Sequence, residues 1–494
     1  MPSSLQRLIS CIIFGSFFFS VAYFSHMDTV FQYDTDEGFH LIASFLQAHG
    51  HVLYKEIRID YWPFLNLLIT ALIKYISPSV YLVRLLILSF STLLLWGLFK
   101  IIRITQNTFC ALFTTGLLIL SPYYLRLSVS IMPGLPAISL AVLSILCIVL
   151  YQNNYKKRYL LLSGGLFALA LLTKFFVIVF LPGLIIELAL TENKKPSDGK
   201  FAIHFLYPLA LWLISLITLY LFVSLIVTAV DYSQIIQPNL HMRKPGILSA
   251  LQGLPTLKEW ALQSYDIILL SLGGLIFLKE NKRKFFILPT TSFIFGFFIL
   301  IAHAPVWYHH QLLLSIPLYW MASFGMYALF DKEIWIGWKI KSMLNRIKDG
   351  VGIIFLSGII MIVLIRMPLR YADTLQQMNA PSPQEYHHVL DLLKKYAGQT
   401  HLVVTDSPLF AYYAQLPVPP HLATVSWKLL KTKIWTSKDM INVIKKDRPE
   451  IVLFTRFRGL QHKIAPYLKN EYTLLYQWDN GGFIQLYILN KINL

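Results

Sequence analysis

Apolar residues in this chain gather in blocks rather than alternating with polar ones. Near-continuous apolar runs cover residues 8–24, 80–102, 108–121, 133–151, 159–173, 175–190, 201–230, 262–279, 285–302, 311–330 and 351–367. Runs this uniform predict helices that meet lipid or other helices on every side, not amphipathic helices on a wetted core. Several are shorter than the ~20 residues a bilayer span needs, so length alone does not fix their ends. A further run, residues 62–77 (WPFLNLLITALIKYIS), reads either as another span or as an interfacial segment.

After about Met367 the pattern becomes that of a water-facing domain. Residues 383–397 have helical spacing, with Val389, Leu392, Leu393 and Tyr396 on one face. Residues 401–405 and 451–455 read as buried strands, and 437–446 as a helix with Ser437 as its N-cap. Residues 472–478 and 483–489 flank Asp479–Gly482 (DNGG), a hairpin signal. The fold class predicted is an all-α polytopic membrane domain of about 11 transmembrane helices plus interfacial helices, followed by a small α/β domain. The domains are residues 1–367, with a first external loop at 25–79, and residues 368–494. Neither strand is followed by GxGxxG or GxxxxGK[ST], so no dinucleotide site or phosphate loop is supported.

Composition sharpens this picture. Only 14% of the 494 residues are charged, against about 25% in soluble domains, and 56% are hydrophobic. These figures exclude an ordinary soluble enzyme and a disordered chain. The three cysteines, Cys11, Cys110 and Cys147, lie within apolar runs and predict packing rather than disulfides. The formal charge of +18 would suggest nucleic acid in a soluble chain, but here the basic groups sit at the ends of apolar runs and read as topology signals.

With residues 62–77 in the interface and the N-terminus cytoplasmic, one side receives Arg7, Lys100, Arg103, Lys156, Lys157 and Arg158. It also receives the clusters at Lys194, Lys195 and Lys200, at Lys279, Lys282, Arg283 and Lys284, and at Lys332, Lys339, Lys341, Arg346 and Lys348. Were 62–77 to cross, the later clusters would all move outside, against the positive-inside bias. The C-terminus is then external. The first run has a basic start, but no small-residue cleavage site precedes Ser25 and His26, so it reads as a retained first span.

The chemistry is concentrated just outside that span. Tyr33-Asp34-Thr35-Asp36-Glu37-Gly38 opens an amphipathic stretch from Phe39 to His49. An acidic helix cap and a general base at the membrane surface both fit these residues. Cationic candidates near the same boundary are Lys55, Arg58, Arg84, Lys174 and His309. Arg84 stands out because an Arg one turn into an apolar span is costly unless paired or snorkelling. His303, His309 and His310, with Trp307 and Tyr308, fit an interfacial aromatic belt better than a phosphate or metal role.

The order of these features resembles the C-type superfamily of polyprenyl-phosphate-dependent glycosyltransferases, in particular the bacterial branch with aminoarabinose transferase and the protein mannosyltransferases. The resemblance is carried by YDTDEGFHLIASFLQAHG after the first span, Gly50 to Tyr54, Trp62-Pro63, Arg84, Ser121-Pro122, GLFALALLTK at 165–174 and HHQLLLSIP at 309–317. It covers roughly residues 8–330, and its weight lies in the order of the motifs rather than in any one of them.

The resemblance implies an inverting glycosyltransferase in the bacterial inner membrane, moving a sugar from a polyprenyl-phosphate donor to a lipid, glycan or protein acceptor on the external face. Asp36 would be the general base and Glu37 would orient the site or help to hold a divalent cation. Arg84, Lys55, Arg58, Lys174 and His309 would receive the donor phosphate, and Tyr33, Asp34 and Tyr54 would contact substrate. A divalent cation, Mg or Mn, is the one cofactor the resemblance leaves room for, and the metal ligands stay open. Two departures stand out: Trp62 replaces a Lys that some relatives place before the Pro, and Met132-Pro133-Gly134-Leu135-Pro136 lacks an Asp that many carry. The alternative is a transporter or flippase of a lipid-linked sugar, which calls for ionisable groups near the middle of spans and an inverted repeat.

Overall fold

The computed structural model describes residues 3–192, 201–228, 230–242, 251–277, 284–303, 305–330, 343–378 and 382–490. The basic residues Lys194, Lys195, Lys200, Lys279, Lys282, Arg283, Lys332, Lys339 and Lys341 lie outside the described residues.

Each apolar run falls on helix. In chain order the helices are α1 (Ser3–Phe24), α2 (Glu37–Ala48), α3 (Pro63–Tyr75), α4 (Val80–Thr105), α5 (Thr108–Ile119), α6 (Tyr124–Val129), α7 (Gly134–Asn154) and α8 (Lys157–Thr173). Then come α9 (Leu181–Glu192), α10 (Phe201–Leu221), α11 (Tyr232–His241), α12 (Leu254–Gln263), α13 (Tyr265–Phe277), α14 (Ile287–Ile301), α15 (Leu312–Phe330) and α16 (Met343–Met378). Among the described residues five helical stretches are long and apolar enough to cross a bilayer: Val80–Thr105, Gly134–Asn154, Leu206–Val227, Tyr308–Phe330 and Gly350–Met378. The α12–α13 pair, bent by 80°, makes a sixth if it is one broken span. The run at 62–77 becomes α3, whose 13 residues fall well short of the ~20 a span needs.

Away from water, buried polar groups must find partners within the protein. Ser144 and Ser163 hydroxyls lie 2.8 Å apart, and the fully buried Trp212 indole N–H donates to Ser163 at 2.9 Å, tying α7, α8 and α10. Asp266 on α13 is buried between Arg366 at 2.8 Å and Arg370 at 2.5 Å on α16. A pair of glycines lets α13 and α15 touch backbone to backbone: a Cβ on Gly325 would lie 2.3 Å from the Leu270 carbonyl oxygen.

The last part of the chain continues with α17 (Gln384–Tyr396), α18 (Pro408–Tyr413), α19 (Trp427–Lys431), α20 (Ser437–Asp447) and α21 (Arg458–Leu468) around four strands. These are β1 (Val403–Thr405), β2 (Ile451–Phe454), β3 (Tyr472–Trp478) and β4 (Ile484–Leu489), in sheet order β1-β2-β4-β3. β1 and β2 are parallel, with Val403 opposite Ile451, and the other pairings are antiparallel. The DNGG turn joins β3 to β4, with Gly481 at φ 78°, a conformation a side chain would strain. The N-cap of α20 is Thr436 rather than Ser437: its hydroxyl accepts the Asp439 N–H while Asp439 reaches back to the Thr436 N–H at 2.9 Å, a reciprocal capping box. Thr436 is one residue earlier than the sequence pattern suggested, because Ser and Thr adjoin there and only the first sits three residues before an acid.

One apolar cluster runs unbroken from the segment between α1 and α4 into this small domain. Phe31, Leu41, Ile42 and Leu65 belong to the same core as Val403, Leu409, Leu453 and Leu486. The approach is closest where Gly38, in the first turn of α2, faces α18, since a Cβ there would lie 2.6 Å from the Leu409 amide nitrogen. Gly38→Ala is therefore expected to cost about 1–3 kcal/mol, read as a lower melting temperature in detergent. Gly15→Ala on α1, where a Cβ meets no atom within 4 Å, should leave the melt unchanged. Equal melting of the two variants would contradict the close contact.

Candidate active site

The acidic motif is held by a buried ion pair. Glu37 and Arg84 are both inaccessible to solvent, with Arg84 Nη2 2.8 Å from Glu37 Oε2. The other Glu37 oxygen accepts the Ile131 N–H at 2.9 Å, and Oε2 also accepts the Tyr33 N–H at 3.2 Å. The guanidinium donates further to the carbonyls of Met27 and Val30 at 2.7 Å and of Phe31 at 3.1 Å, and lies over the Tyr33 ring. Arg84 therefore does not snorkel. It is turned inward, and its charge fixes the loop between α1 and α2.

This fixed loop presents Asp36 at the entrance to α2. Asp36 is the N-cap by position, but its carboxylate makes no capping hydrogen bond. Its own N–H donates to Asp34 Oδ1 at 2.8 Å, and its carboxyl lies 3.4 Å from Arg456 Nη2 with 31% of the side chain exposed. Burial, reinforced by the negative charges of Asp34 and Asp60, pushes the Asp36 carboxyl up to about 6, and Arg456 opposes the shift. Asp34 is anchored from the other side by the Tyr308 hydroxyl, which donates to Oδ2.

Cations reach this carboxylate group from three directions. Lys174, at the break after α8, is close enough to Asp36, Asp34 and Lys428 for its charge to be felt by each. Its Nζ lies 3.7 Å from where a Cβ would stand on Gly134, the first residue of α7, and the His309 carbonyl oxygen lies 3.8 Å from the same point. Gly134 thus marks where α7, Lys174 and the segment before α15 converge. Lys428, on α19, pairs with the buried Asp60 at 2.6 Å. Arg456, following β2, also donates to the Thr35 hydroxyl at 3.1 Å and lies over the Phe39 ring.

The remaining sequence candidates lie elsewhere. Lys55 is exposed and forms no ion pair among the described residues. Arg58 lies 5.7 Å from the Trp435 ring, facing the small domain. The Tyr33 hydroxyl donates to the Ser25 carbonyl, and the Tyr54 hydroxyl donates to the Tyr61 carbonyl at 2.7 Å, so both are spent within the protein. His309 is half-buried and its Nδ1 has no hydrogen-bond partner. His303 and His310 pack edge-on against Phe176, as in an aromatic belt. Among the described residues no three His, Cys, Asp or Glu side chains are grouped to hold a metal ion, and Asp34 and Glu37 are taken up by protein donors. No step is therefore routed through a divalent cation.

Sequence reasoning missed Asp60, Lys428, Arg456, Arg126 and His40. Arg126 donates to the Tyr33 carbonyl at 2.8 Å and lies over the Tyr308 ring. His40 is buried against Asn66, with Nδ1 3.1 Å from Asn66 Oδ1, and burial lowers its pKa to about 4, leaving it neutral. Asp60 stands just before Trp62-Pro63 but among Lys55, Glu56 and Arg58, so its charge was not conspicuous. Lys428 and Arg456 are distant in the chain and reach the loop only through folding of the small domain.

The family model described as dolichyl-phosphate-mannose-protein mannosyltransferase matches residues 61–224. No curated protein sequence matches this chain. Among solved structures, ArnT from Cupriavidus metallidurans in the apo state is similar with a TM-score of 0.62 at 13% identity, covering 98% of each chain. ArnT bound to undecaprenyl phosphate also gives 0.62, at 14% identity, over 96% of this chain and 97% of the other. The fold is therefore similar to that of ArnT over nearly the whole of both chains. The archaeal oligosaccharyltransferase AglB from Archaeoglobus fulgidus, in complex with an inhibitory peptide and a dolichol-phosphate, gives 0.55 at 12% identity, over 99% of this chain and 75% of that one. The acidic motif at 33–38 lies outside the stretch matched by the family model, so its reading rests on the geometry above.

Removing Arg84 leaves the Glu37 carboxylate buried without its cation. Arg84→Ala should therefore cost about 3–5 kcal/mol, measured as loss of monodisperse protein and of the thermal transition in detergent. A variant as stable as the parent would show that the pair does not hold the loop.

Proposed function

We propose that this chain is an integral-membrane inverting glycosyltransferase that moves a sugar from a polyprenyl-phosphate donor to a lipid, glycan or protein acceptor on the external face of a bacterial inner membrane. The carrying observation is the Asp36 carboxyl, open to solvent on one side and surrounded by Lys174, Lys428 and Arg456, on a fold shared with proteins solved with undecaprenyl phosphate and dolichol-phosphate bound. In this reading about 11 helices cross the membrane, α2 and α3 lie in the interface, the N-terminus is cytoplasmic, and residues 368–494 form an external domain. The positive-inside distribution of Lys and Arg supports that orientation.

The chemistry follows from the charges. An acceptor hydroxyl donates to Asp36 as its oxygen attacks the anomeric carbon, and the proton ends on the carboxylate. The anomeric C–O bond to the phosphate breaks with its electron pair leaving on the phosphate oxygen, and a single displacement inverts the centre. The transition state is oxocarbenium-like, so a carboxylate of modest basicity suffices. Lys174, with His309 and the start of α7 beside it, supplies the positive potential for the departing phosphate. Lys428 adds to that potential while held by Asp60. Glu37 and Arg84 act as positioning residues, since neither is open to a substrate.

Among the described residues the apolar helices bury two acids: Glu187, whose Oε1 accepts from Gln152 at 2.6 Å, and Asp266, neutralised by Arg366 and Arg370. The Asp266 arrangement fits a structural clamp between α13 and α16 better than a transport path.

Asp36→Asn should fold as the parent does and lose transfer from a polyprenyl-phosphate sugar by about 10²- to 10⁴-fold; retained turnover would remove Asp36 from the mechanism. The base works ionised with its carboxyl at about 6, while burial lowers the Lys174 ammonium to about 7, so transfer should rise as pH rises through about 6 and fall again above about 7 as Lys174 loses its charge. Arg456→Gln removes a cation that lowers the Asp36 value, so the rising limb should move to higher pH. A pH-independent rate between 5 and 8 would contradict this assignment, where ~5 and ~8 bracket the expected limb.

A further inference from the structure

The small domain meets the start of α2 along one edge, at the carboxyl ends of its parallel strands β1 and β2. Two loops make that edge. The first leaves β1 at Asp406 and enters α18, whose Leu409 amide nitrogen would lie 2.6 Å from a Cβ on Gly38. The second leaves β2 at Thr455 and carries Arg456. That guanidinium donates to the Thr35 hydroxyl at 3.1 Å, lies 3.4 Å from Asp36 Oδ1 and stands over the Phe39 ring. The residues gripped from the two sides, Thr35 to Phe39, are those that hold the proposed base.

One side chain joins the two loops. Asp406 is inaccessible to solvent, and its carboxylate takes backbone N–H groups from three consecutive residues of the second loop. Oδ1 accepts from Thr455 at 2.8 Å, while Oδ2 accepts from Arg456 at 3.1 Å and from Phe457 at 2.7 Å. A buried carboxylate in a turn is most simply a staple, since N–H groups leaving the end of a strand need acceptors. This staple differs in the residue at its centre: Asp406 fixes the backbone of Arg456, and the Arg456 guanidinium is the cation that pairs with Asp36.

We propose that Asp406 is a positioning residue for the transfer reaction, holding the Arg456 guanidinium against Asp36 through the backbone it fixes. This rests on the reading of Asp36 as the base. The groups facing Asp36 are Asp34 on its own loop, Asp60 and Tyr61 from the segment before α3, Lys174 from the break after α8, and Arg456. Asp34 and Asp60 favour the protonated carboxyl, whereas the two cations favour the ionised one. Asp406 itself faces Arg456 and the Tyr386 phenol of α17. Two routes from Asp406 to Asp36 then have opposite signs. Losing the Asp406 charge acts through space by making Asp36 easier to ionise, which lowers its titration midpoint. Losing the aim of Arg456 takes a cation from Asp36 and raises the midpoint. Asn at position 406 produces the second effect, because its amide sets N–H groups against a backbone N–H and opens the staple.

The test is an infrared titration of full-length protein in phosphatidylcholine nanodiscs without substrate. The Asp36 carboxyl band is isolated in each background by subtracting the matching Asp36→Asn protein. Asp406→Asn should raise the Asp36 midpoint by about 1 pH unit, as Arg456→Gln does, and the double variant Asp406→Asn/Arg456→Gln should match Arg456→Gln alone. Asp406→Glu keeps the charge, displaces the oxygens by one methylene and should also raise the midpoint. In transfer assays the rising limb should move with the midpoint. A lowered or unchanged midpoint in Asp406→Asn, or a further shift in the double variant, would overturn the relay. Loss of monodisperse protein in both Asp406→Asn and Asp406→Glu would overturn it in favour of a plain structural staple. A midpoint that moves while Asp36→Asn retains transfer would keep the relay and sink the base; an unmoved midpoint with transfer lost in Asp36→Asn would do the reverse.

Discussion

The Glu37–Arg84 pair is the interaction on which the site depends. Two opposite charges inaccessible to water are costly unless hydrogen bonds compensate them, and here the carboxylate takes two backbone N–H groups while the guanidinium serves three carbonyls, leaving Nε without a partner among the described residues. Those backbone groups come from the loop after α1 and from Ile131 just before α7. One ion pair thus ties the loop between α1 and α2 to α4 and to the approach to α7. Asp36 inherits its position from this anchor: it is the residue before Glu37, and its carboxyl is left free because the neighbouring one is used.

The second constraint comes from the small domain. Its sheet shares an apolar core with α2 and the segment between α1 and α4, and the Tyr413 hydroxyl donates to the Phe31 carbonyl at 2.9 Å. Asp406, fully buried after β1, accepts the N–H groups of Thr455, Arg456 and Phe457 at 2.8, 3.1 and 2.7 Å. That carboxylate shapes the turn after β2 and so aims Arg456 at Thr35 and Asp36. Lys428 reaches Asp60 by a similar route, from a helix of the small domain to the loop before α3. The site is therefore made jointly, with its carboxylates contributed by the segment between α1 and α4 and two of its three cations by the last hundred residues.

Much of this was legible in the sequence for a physical reason. Apolar runs, the DNGG turn and the buried β strands are local signals and were found near their expected places, except that the run at 351–367 is the middle of the longer α16, Met343–Met378, whose polar ends carry no apolar signal. The acidic motif was also local, standing out as charge beside a span. The partner of Glu37 was harder. Arg84 was conspicuous as a cation in an apolar stretch, but a phosphate and an internal carboxylate make equal sense of such a residue, and only the fold distinguishes them. Tyr33 and Tyr54 were misleading in a similar way, since their hydroxyls serve carbonyls a few residues off. Lys428 and Arg456 gave no signal, because a Lys on an amphipathic helix and an Arg after a strand are ordinary surface residues until tertiary packing turns them inward.

The central claim is that the Asp36 carboxyl and the cations at Lys174 and Lys428 share one basin with the head of a lipid carrier. A cryo-EM structure of the protein in nanodiscs with bound undecaprenyl phosphate tests it most directly. The account predicts the phosphate beside Lys174 at the start of α7, on the side of the membrane that holds the small domain, with Asp36 facing the space where a sugar would attach. A phosphate bound at the opposite membrane surface, or one with protein packed between it and Asp36, would contradict it.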